Sequence, residues 1–143
     1  MPSLMAYATS VTRNHNVAEE AVQETFIRAW KYWPTFRNES PVISWLITIC
    51  RHVIIDNARR NPRTEQLQDN VVHIEPLLSN IAVVDLVREL PLPQREVIML
   101  CAVIGLDYET AAETLNIPVG TVRSRLSRAR EQLGIRLAEA LAV

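Results

Sequence analysis

Glycine, cysteine and aromatic residues are scarce in this sequence. Its 143 residues include three glycines and two cysteines, and aromatic residues make up 6%. Scarce glycine, with frequent alanine, leucine, arginine and glutamate, favours helices over strands. Cys50 and Cys101 lie far apart and belong to no C-x-x-C motif. We therefore predict that they are buried, small apolar residues in a reducing cytoplasm.

Signals for the membrane, for export and for catalysis are also missing. No run of about 18 apolar residues is present, so no membrane span is predicted. The N-terminus lacks a basic flank before an apolar core, so we predict no secretion signal and a cytoplasmic protein. His15, His52 and His73 show no metal-ligand spacing, and no glycine loop for phosphate is present. We predict no catalysis, no metal and no cofactor.

The chain has almost no net charge, but its charges are unevenly distributed. The total is −1, which by itself argues against nucleic acid. Residues 1–63 carry eight basic and five acidic residues, whereas 64–96 carry two and six. Four arginines fall within 123–130, with no acid among them. This pattern suits a protein that binds DNA as part of a larger basic assembly rather than alone.

Apolar residues at three- and four-residue steps predict helices in the first half of the chain. We predict a helix over 3–13, a second from the capping box Asn16-x-x-Glu19 to Tyr32, and a third from Ser40-Pro41 to Arg60. The predicted buried stripe of the second helix is Ala18, Val22, Phe26, Ala29 and Trp33. That of the third is Val42, Leu46, Ile49, Val53 and Ala58.

The pattern fades after residue 62 and returns after residue 80. Polar residues dominate 63–80, which we predict to be a flexible acidic linker. Further helices are predicted over 81–89, 93–104, 108–115 and 119–133, with Gly134 as the stop of the last. The prediction is an all-α protein with two small helical domains, 1–62 and 81–143.

Residues 108–122 have the pattern of a helix-turn-helix. Two helices that cross steeply need a small residue where they touch, and Ala112 supplies it. The turn needs a residue that tolerates left-handed φ, which suits Asn116. The second helix is predicted to bury Val122, Leu126, Ala129 and Leu133. Its other side carries Thr121, Ser124, Ser127 and Arg128, with Arg123, Arg125 and Arg130 on the flanks. Serine, threonine and arginine side chains contact bases and phosphates in a major groove.

Both halves carry motifs that resemble those of the extracytoplasmic-function (group IV) sigma factors of bacterial RNA polymerase. Residues 117–130, IPVGTVRSRLSRAR, and 90–97, LPLPQREV, resemble region 4. Residues 18–30, AEEAVQETFIRAW, resemble region 2.2. Residues 45–52, WLITICRH, followed by Asp56 and Arg59-Arg60, resemble regions 2.3 and 2.4. The resemblance covers nearly the whole chain, in the family's order.

The resemblance implies three sites. A surface for the β′ clamp helices of core polymerase would consist of Glu20, Gln23, Glu24 and Arg28. A site for the −10 promoter element would consist of Arg51, His52, Asp56, Arg59 and Arg60. A site for the −35 element would consist of Thr121, Arg123, Ser124, Ser127 and Arg128. The resemblance also implies contact of region 4 with the β flap, and an anti-sigma factor as a further partner.

Some positions depart from the family pattern or leave a choice open. Region 2 is short at its N-terminus, and His52 replaces the usual asparagine. Thr110 and Ala111 replace the usual Glu-Ile pair. Trp45 is either a stacking platform for a base or a core residue.

Two other functions remain open from the sequence. A stand-alone helix-turn-helix repressor or response-regulator output domain would explain 81–143 but not the first half. A sigma-like chain that titrates an anti-sigma factor without initiating transcription would suit the short region 2.

Overall fold

The computed structural model of the protein describes residues 2–60 and 86–141. All regular elements in these two ranges are helical, which confirms the predicted all-α class. The chain divides into two compact units, one within residues 1–73 and the other within 74–143. The linker predicted over 63–80 lies outside the described residues, as does the first part of the helix predicted over 81–89.

The first unit consists of three helices that pack against one another. They are α1 (Pro2–Thr12), α2 (His15–Tyr32) and α3 (Val42–Arg60), and a short 3-10 turn, Trp33–Thr35, follows α2. Each helix contacts the other two. The centre of this unit contains side chains with no exposed surface, among them Leu4 and Tyr7 of α1, Ala18 and Ala21 of α2, and Ile47, Cys50 and Val53 of α3.

The buried side of α2 differs from the predicted stripe. Ala18 and Ala29 are buried as predicted, but Phe26 and Trp33 are exposed. The other buried positions are Ala21 and Thr25. Because α1 and α3 both press on α2, only small side chains fit between them, and the large apolar ones remain at the surface.

The buried side of α3 is also wider than predicted. Leu46 and Val53 are buried as predicted, whereas Ile49 is half-buried and Val42 is exposed. The additional buried residues are Ser44, Ile47, Cys50 and Ile54. A helix with two neighbours buries more than one stripe, which a single period does not reveal.

The cap of α2 lies two residues before the predicted one. The side chain of Asn14 accepts hydrogen bonds from the backbone N–H groups of Asn16, at 2.9 Å, and Val17, at 3.2 Å. Glu19 does not complete a capping box and instead faces His15 at 3.7 Å. The chain turns here through a positive φ of 56° at Arg13. Asn14 therefore satisfies the first turn of α2 at the point where α1 ends.

Replacement of Asn14 by alanine is expected to destabilise the protein by about 1 kcal/mol, because two N–H groups in the first turn of α2 lose their acceptor. Chemical denaturation followed by circular dichroism measures the change. Asn16→Ala, at an exposed position within the helix, is the matched control. Equal losses from the two variants would mean that Asn14 has no special capping role.

The elements described in the second unit are also helical. After a helical stretch over 86–88 come α4 (Leu92–Ile98), a π-helical turn (Met99–Ile104), α5 (Tyr108–Leu115) and α6 (Val119–Leu141). The predicted helix over 93–104 is therefore α-helical only in its first part. The core of this unit includes side chains from each of these elements and Leu90 between the first two: Val87, Leu90, Val97, Leu100, Ala111, Val122, Leu126 and Ala129.

Local chemistry fixes both ends of α5, and Asn116 acts in the turn to α6 as predicted. The carboxylate of Asp107 caps α5 by accepting the Thr110 N–H at 2.7 Å, and this bond holds the pKa of Asp107 below its usual range. The capping contribution is therefore present at neutral pH and is lost as the pH falls through the folded-state pKa. Asn116 ends α5 in the left-handed region, at φ 55°. Ala112 is buried where the helices meet.

The end of α6 lies beyond the predicted stop. Gly134 does not end the helix, which continues to Leu141. One glycine inside a helix costs only about 1 kcal/mol relative to alanine, and tertiary contacts offset this. The guanidinium of Arg136 forms an ion pair with Glu89, which holds the extension against the start of the unit.

Replacement of Gly134 by alanine is expected to stabilise the protein by about 0.5–1 kcal/mol, since it lies within a helix and an added Cβ meets open space. Gly105→Ala is the matched control, because Gly105 has a φ of 89° and alanine there is strained. We expect the midpoint of urea denaturation to rise for Gly134→Ala and to fall for Gly105→Ala. Two shifts of the same sign would contradict the assignment of the backbone at these glycines.

Candidate functional site

The first group of predicted site residues lies on α2. Glu20 and Gln23 are exposed, and Glu24 and Arg28 are half-buried. The structure therefore places Glu20, Gln23 and Glu24 on the outer part of one helix. Arg28 differs from the others because its side chain turns toward α3.

Two large apolar residues that were not predicted complete this surface. Ile27 is 64% exposed and Trp30 is 86% exposed. With Gln23 they follow helical steps of four and three residues, so the three side chains form one row, named here the α2 ridge. The sequence contained part of the signal: both residues fall outside the predicted buried stripe, and adjacent apolar side chains on an exposed surface mark an interaction site.

The second group lies on the C-terminal half of α3. His52, Arg59 and Arg60 are exposed, and Asp56 is half-buried. Helical spacing puts these four on one side, named here the α3 polar face. Arg51 is half-buried and lies on the adjoining side of the helix. The structure thus groups four of the five predicted residues.

An ion-pair network joins the first two groups. The Nε atom of Arg28 lies 3.2 Å from Oε1 of Glu24, and its Nη1 atom lies 3.7 Å from Oδ2 of Asp56. Arg28 and Asp56 belong to different predicted sites, because residues 28 positions apart give no sign of contact in the sequence. In the folded unit they are partners.

An aromatic cluster lies beside the loop between α2 and α3. Trp45 is half-buried, and its ring centroid lies 5.8 Å from that of Trp33 and 5.1 Å from that of Phe36. Trp33 and Phe36 stack at 5.4 Å. Trp45 therefore packs against two rings, and Trp33, at 53% exposure, presents the larger open surface.

The third group lies on α6, the second helix of the helix-turn-helix. Val122, Leu126 and Ala129 are buried as predicted, and Leu133 is half-buried. Ser124, Ser127 and Arg128 are exposed on the opposite side, named here the α6 exposed face. Arg123 is also exposed, whereas Thr121 is half-buried and its carbonyl accepts the Ser124 hydroxyl at 3.1 Å.

Neither cysteine is placed for nucleophilic chemistry. Burial raises the pKa of the Cys50 thiol to about 11, although a hydrogen bond with Thr25 opposes the shift. Burial also raises the pKa of Cys101, against the nearby charge of Arg130. Cys50 is buried as predicted, whereas Cys101 is only half-buried. Thiols with raised pKa values remain protonated and unreactive at neutral pH.

Comparisons with known proteins match both halves of the chain. Residues 1–64 match the family model described as Sigma-70 region 2, and residues 81–133 match that of Sigma-70, region 4. A probable RNA polymerase sigma-C factor of Mycobacterium bovis is 37% identical over 125 residues, covering 81% of this chain and 68% of that protein. The ECF sigma factor EcfG of Rhodopseudomonas palustris is 33% identical over 145 residues, covering 93% and 78%.

The chain belongs to the extracytoplasmic-function sigma factors. It is an RNA polymerase sigma factor that directs promoter-specific transcription, which confirms the prediction from the two motif blocks.

The fold of this sigma factor matches a solved relative. The sigma factor RpoE of Bartonella quintana, in its complex with the anti-sigma factor NepR, aligns with a TM-score of 0.78 and 31% identity, covering 96% of this chain and 91% of that one. Among the helices within 2–60 and 86–141, none is long and apolar enough to cross a membrane.

Proposed function

We propose that this sigma factor binds core RNA polymerase through the outer side of α2, captures the −10 element with α3 and reads the −35 element with α6. The observation that carries the proposal is that one chain has two separate exposed surfaces of different chemistry. The α2 ridge exposes two large apolar side chains and is flanked by carboxylates, whereas the α6 exposed face contains serine and arginine.

The α2 ridge has the composition of a protein-binding hot spot. Interface hot spots are rich in tryptophan and are surrounded by polar residues that exclude water. Trp30 and Ile27 supply the apolar centre of the ridge, Gln23 lies at its N-terminal end, and Glu20 and Glu24 flank it. We propose that the clamp helices of the β′ subunit pack on this ridge.

The α3 polar face suits an opened DNA strand. Exposed Arg59 and Arg60 offer cations to phosphates, and His52 offers a donor and a stacking ring. Trp33, on the neighbouring aromatic cluster, has an open ring surface on which an unpaired base can stack. We propose that Trp45 supports that cluster rather than contacting DNA.

The α6 exposed face suits a duplex. The second helix of a helix-turn-helix enters the major groove, where arginine forms a bidentate contact with guanine. Arg128 and Ser127 lie on the side opposite the core, and Arg123 lies nearer to the flank. We propose that Arg128 and Ser124 contact bases and that Thr121 contacts a phosphate.

An anti-sigma factor is proposed as a further partner. The relative from Bartonella quintana is in complex with NepR, and the likeness covers nearly the whole of both chains. Contact of region 4 with the β flap, and a cytoplasmic location, belong to the same proposal, since the protein must meet polymerase on the chromosome.

Run-off transcription with core polymerase and genomic DNA tests the proposal. We expect discrete start sites that require the added chain, and weak duplex binding by the chain alone because its charge is nearly balanced. Tight, salt-tolerant binding without polymerase would favour a stand-alone repressor. No specific start sites, together with binding of an anti-sigma factor, would favour a chain that only titrates that partner.

A further inference from the structure

Arg28 lies between two carboxylates that belong to different helices. Its Nε faces Glu24, one turn earlier on α2, and its Nη1 faces Asp56 on α3. The side chain is 31% exposed, against 43% for Asp56 and 44% for Glu24, so it is the most enclosed of the three. A guanidinium with five N–H donors can serve both carboxylates from one position. The geometry does not turn this side chain outward as a contact for polymerase.

Asp56 places a negative charge on the side of α3 that is proposed to bind DNA. It lies within the α3 polar face, between His52 and Arg59, where phosphates are expected to approach. An unpaired carboxylate there repels phosphate and cancels part of the charge of the neighbouring arginines. The ion pair with Arg28 neutralises Asp56 and holds it toward α2.

Glu24 is the second carboxylate that contacts Arg28. It lies next to the α2 ridge, on the surface proposed to bind polymerase. At 3.7 Å, the Arg28–Asp56 pair is longer than a good charge-assisted hydrogen bond, whereas the contact with Glu24 is shorter. When polymerase engages Glu24, Arg28 loses that partner and can move closer to Asp56. Binding on α2 is then transmitted to the DNA side of α3.

We infer that Arg28 is a positioning residue that neutralises Asp56 and links polymerase binding at Glu24 to the DNA-reading side of α3. This inference rests on the proposed function of α2 and α3. It moves Arg28 from the polymerase contacts, and Asp56 from the DNA contacts, to a shared role inside the unit.

A rescue experiment tests the inference. Arg28→Met keeps an apolar stem but leaves Asp56 without its neutralising partner. We expect polymerase affinity within about twofold of the original and about two- to fivefold fewer open complexes at saturating polymerase, the range of one exposed ion pair. Asp56→Asn in the same chain removes the unpaired charge and is expected to restore open complexes. Fluorescence anisotropy measures affinity, and permanganate footprinting measures opening.

Other results would overturn the inference. A large loss of polymerase affinity in Arg28→Met, with normal opening of the bound complex, would make Arg28 a polymerase contact. No rescue by Asp56→Asn would make the two residues independent. Salt provides a further check, because repulsion between Asp56 and phosphate must weaken as ionic strength rises.

A measurement without polymerase separates this inference from the proposed function. Urea denaturation of the two single variants and the double variant gives the coupling between Arg28 and Asp56 in the free protein. Non-additive midpoints support the pair, whereas additive midpoints overturn it. If the original chain opens no promoter, the proposed function fails. The double-mutant cycle of Arg28 and Asp56 still shows whether the ion pair exists.

Discussion

Replacement of Trp30 by alanine is expected to weaken binding of core polymerase by about 30-fold or more, which corresponds to about 2 kcal/mol for a tryptophan hot spot. Trp30 is 86% exposed, so its removal takes nothing from the core. We therefore expect the stability of the variant to change by less than about 0.5 kcal/mol. Titration of labelled protein with core polymerase measures the affinity, and thermal denaturation checks the fold.

Tyr32→Ala is the matched control for Trp30. Tyr32 is also an exposed aromatic residue of α2, but two helical residues place it about 200° around the axis. We expect its removal to leave polymerase affinity within about threefold, the effect of a peripheral position. Similar losses from the two variants, or none from Trp30→Ala, would remove the α2 ridge as the binding surface.

Replacement of Arg128 by alanine is expected to weaken binding to the −35 element by about 1–3 kcal/mol, roughly 5- to 150-fold, because a bidentate contact with guanine is lost. Arg128 is exposed on α6, opposite the buried Leu126 and Ala129, so the fold should persist. The measurement compares holoenzyme on a specific −35 duplex and on a scrambled one. The specific duplex should lose more affinity.

Arg130→Ala is the matched control on the same helix. Arg130 is exposed but lies about 160° from Arg128 around α6. We expect a small loss that is equal on both duplexes, as for a distant or phosphate-contacting charge. If Arg128→Ala also loses affinity equally on all sequences, Arg128 touches only phosphate and another residue reads the base.

Local chemistry in the sequence predicted the helix-turn-helix of the second unit well. Asp107 and Asn116 fix the ends of α5 through one capping hydrogen bond and one left-handed residue, and both act within a few positions of the chain. α6 has a one-sided core, so a single 3.6-residue period identifies its buried stripe. The side that remains is the candidate DNA surface.

The buried residues of the first unit were harder to predict, because contacts between its helices determine which side of each helix is buried. α2 lies between α1 and α3, so close packing selects the small Ala21 and Thr25 over the larger Phe26. Hydrophobicity alone favours the opposite choice. Ile27 and Trp30 fall outside the predicted buried stripe, but how far they are exposed depends on which side of α2 the neighbouring helices cover.

Two remaining differences come from competition between local signals and long-range contacts. Gly134 is a stop signal by propensity, but the ion pair between Arg136 and Glu89 favours continuation of α6. The pair of Arg28 and Asp56 joins two helices across a loop. The residues next to Arg28 and Asp56 in the chain give no sign that the two form a pair, so helical periodicity could not predict this contact.

The small residues on the inner side of α2 constrain how the protein can vary. Enlarging Ala18, Ala21 or Ala29 would overpack a filled space, at about 1–3 kcal/mol for each change. No comparable penalty applies to the outer side, where Gln23, Ile27 and Trp30 lie. Packing therefore constrains the inside of this helix, whereas changes on the outside act on binding rather than on folding. Affinity for a new binding partner can then evolve on this helix without loss of foldability.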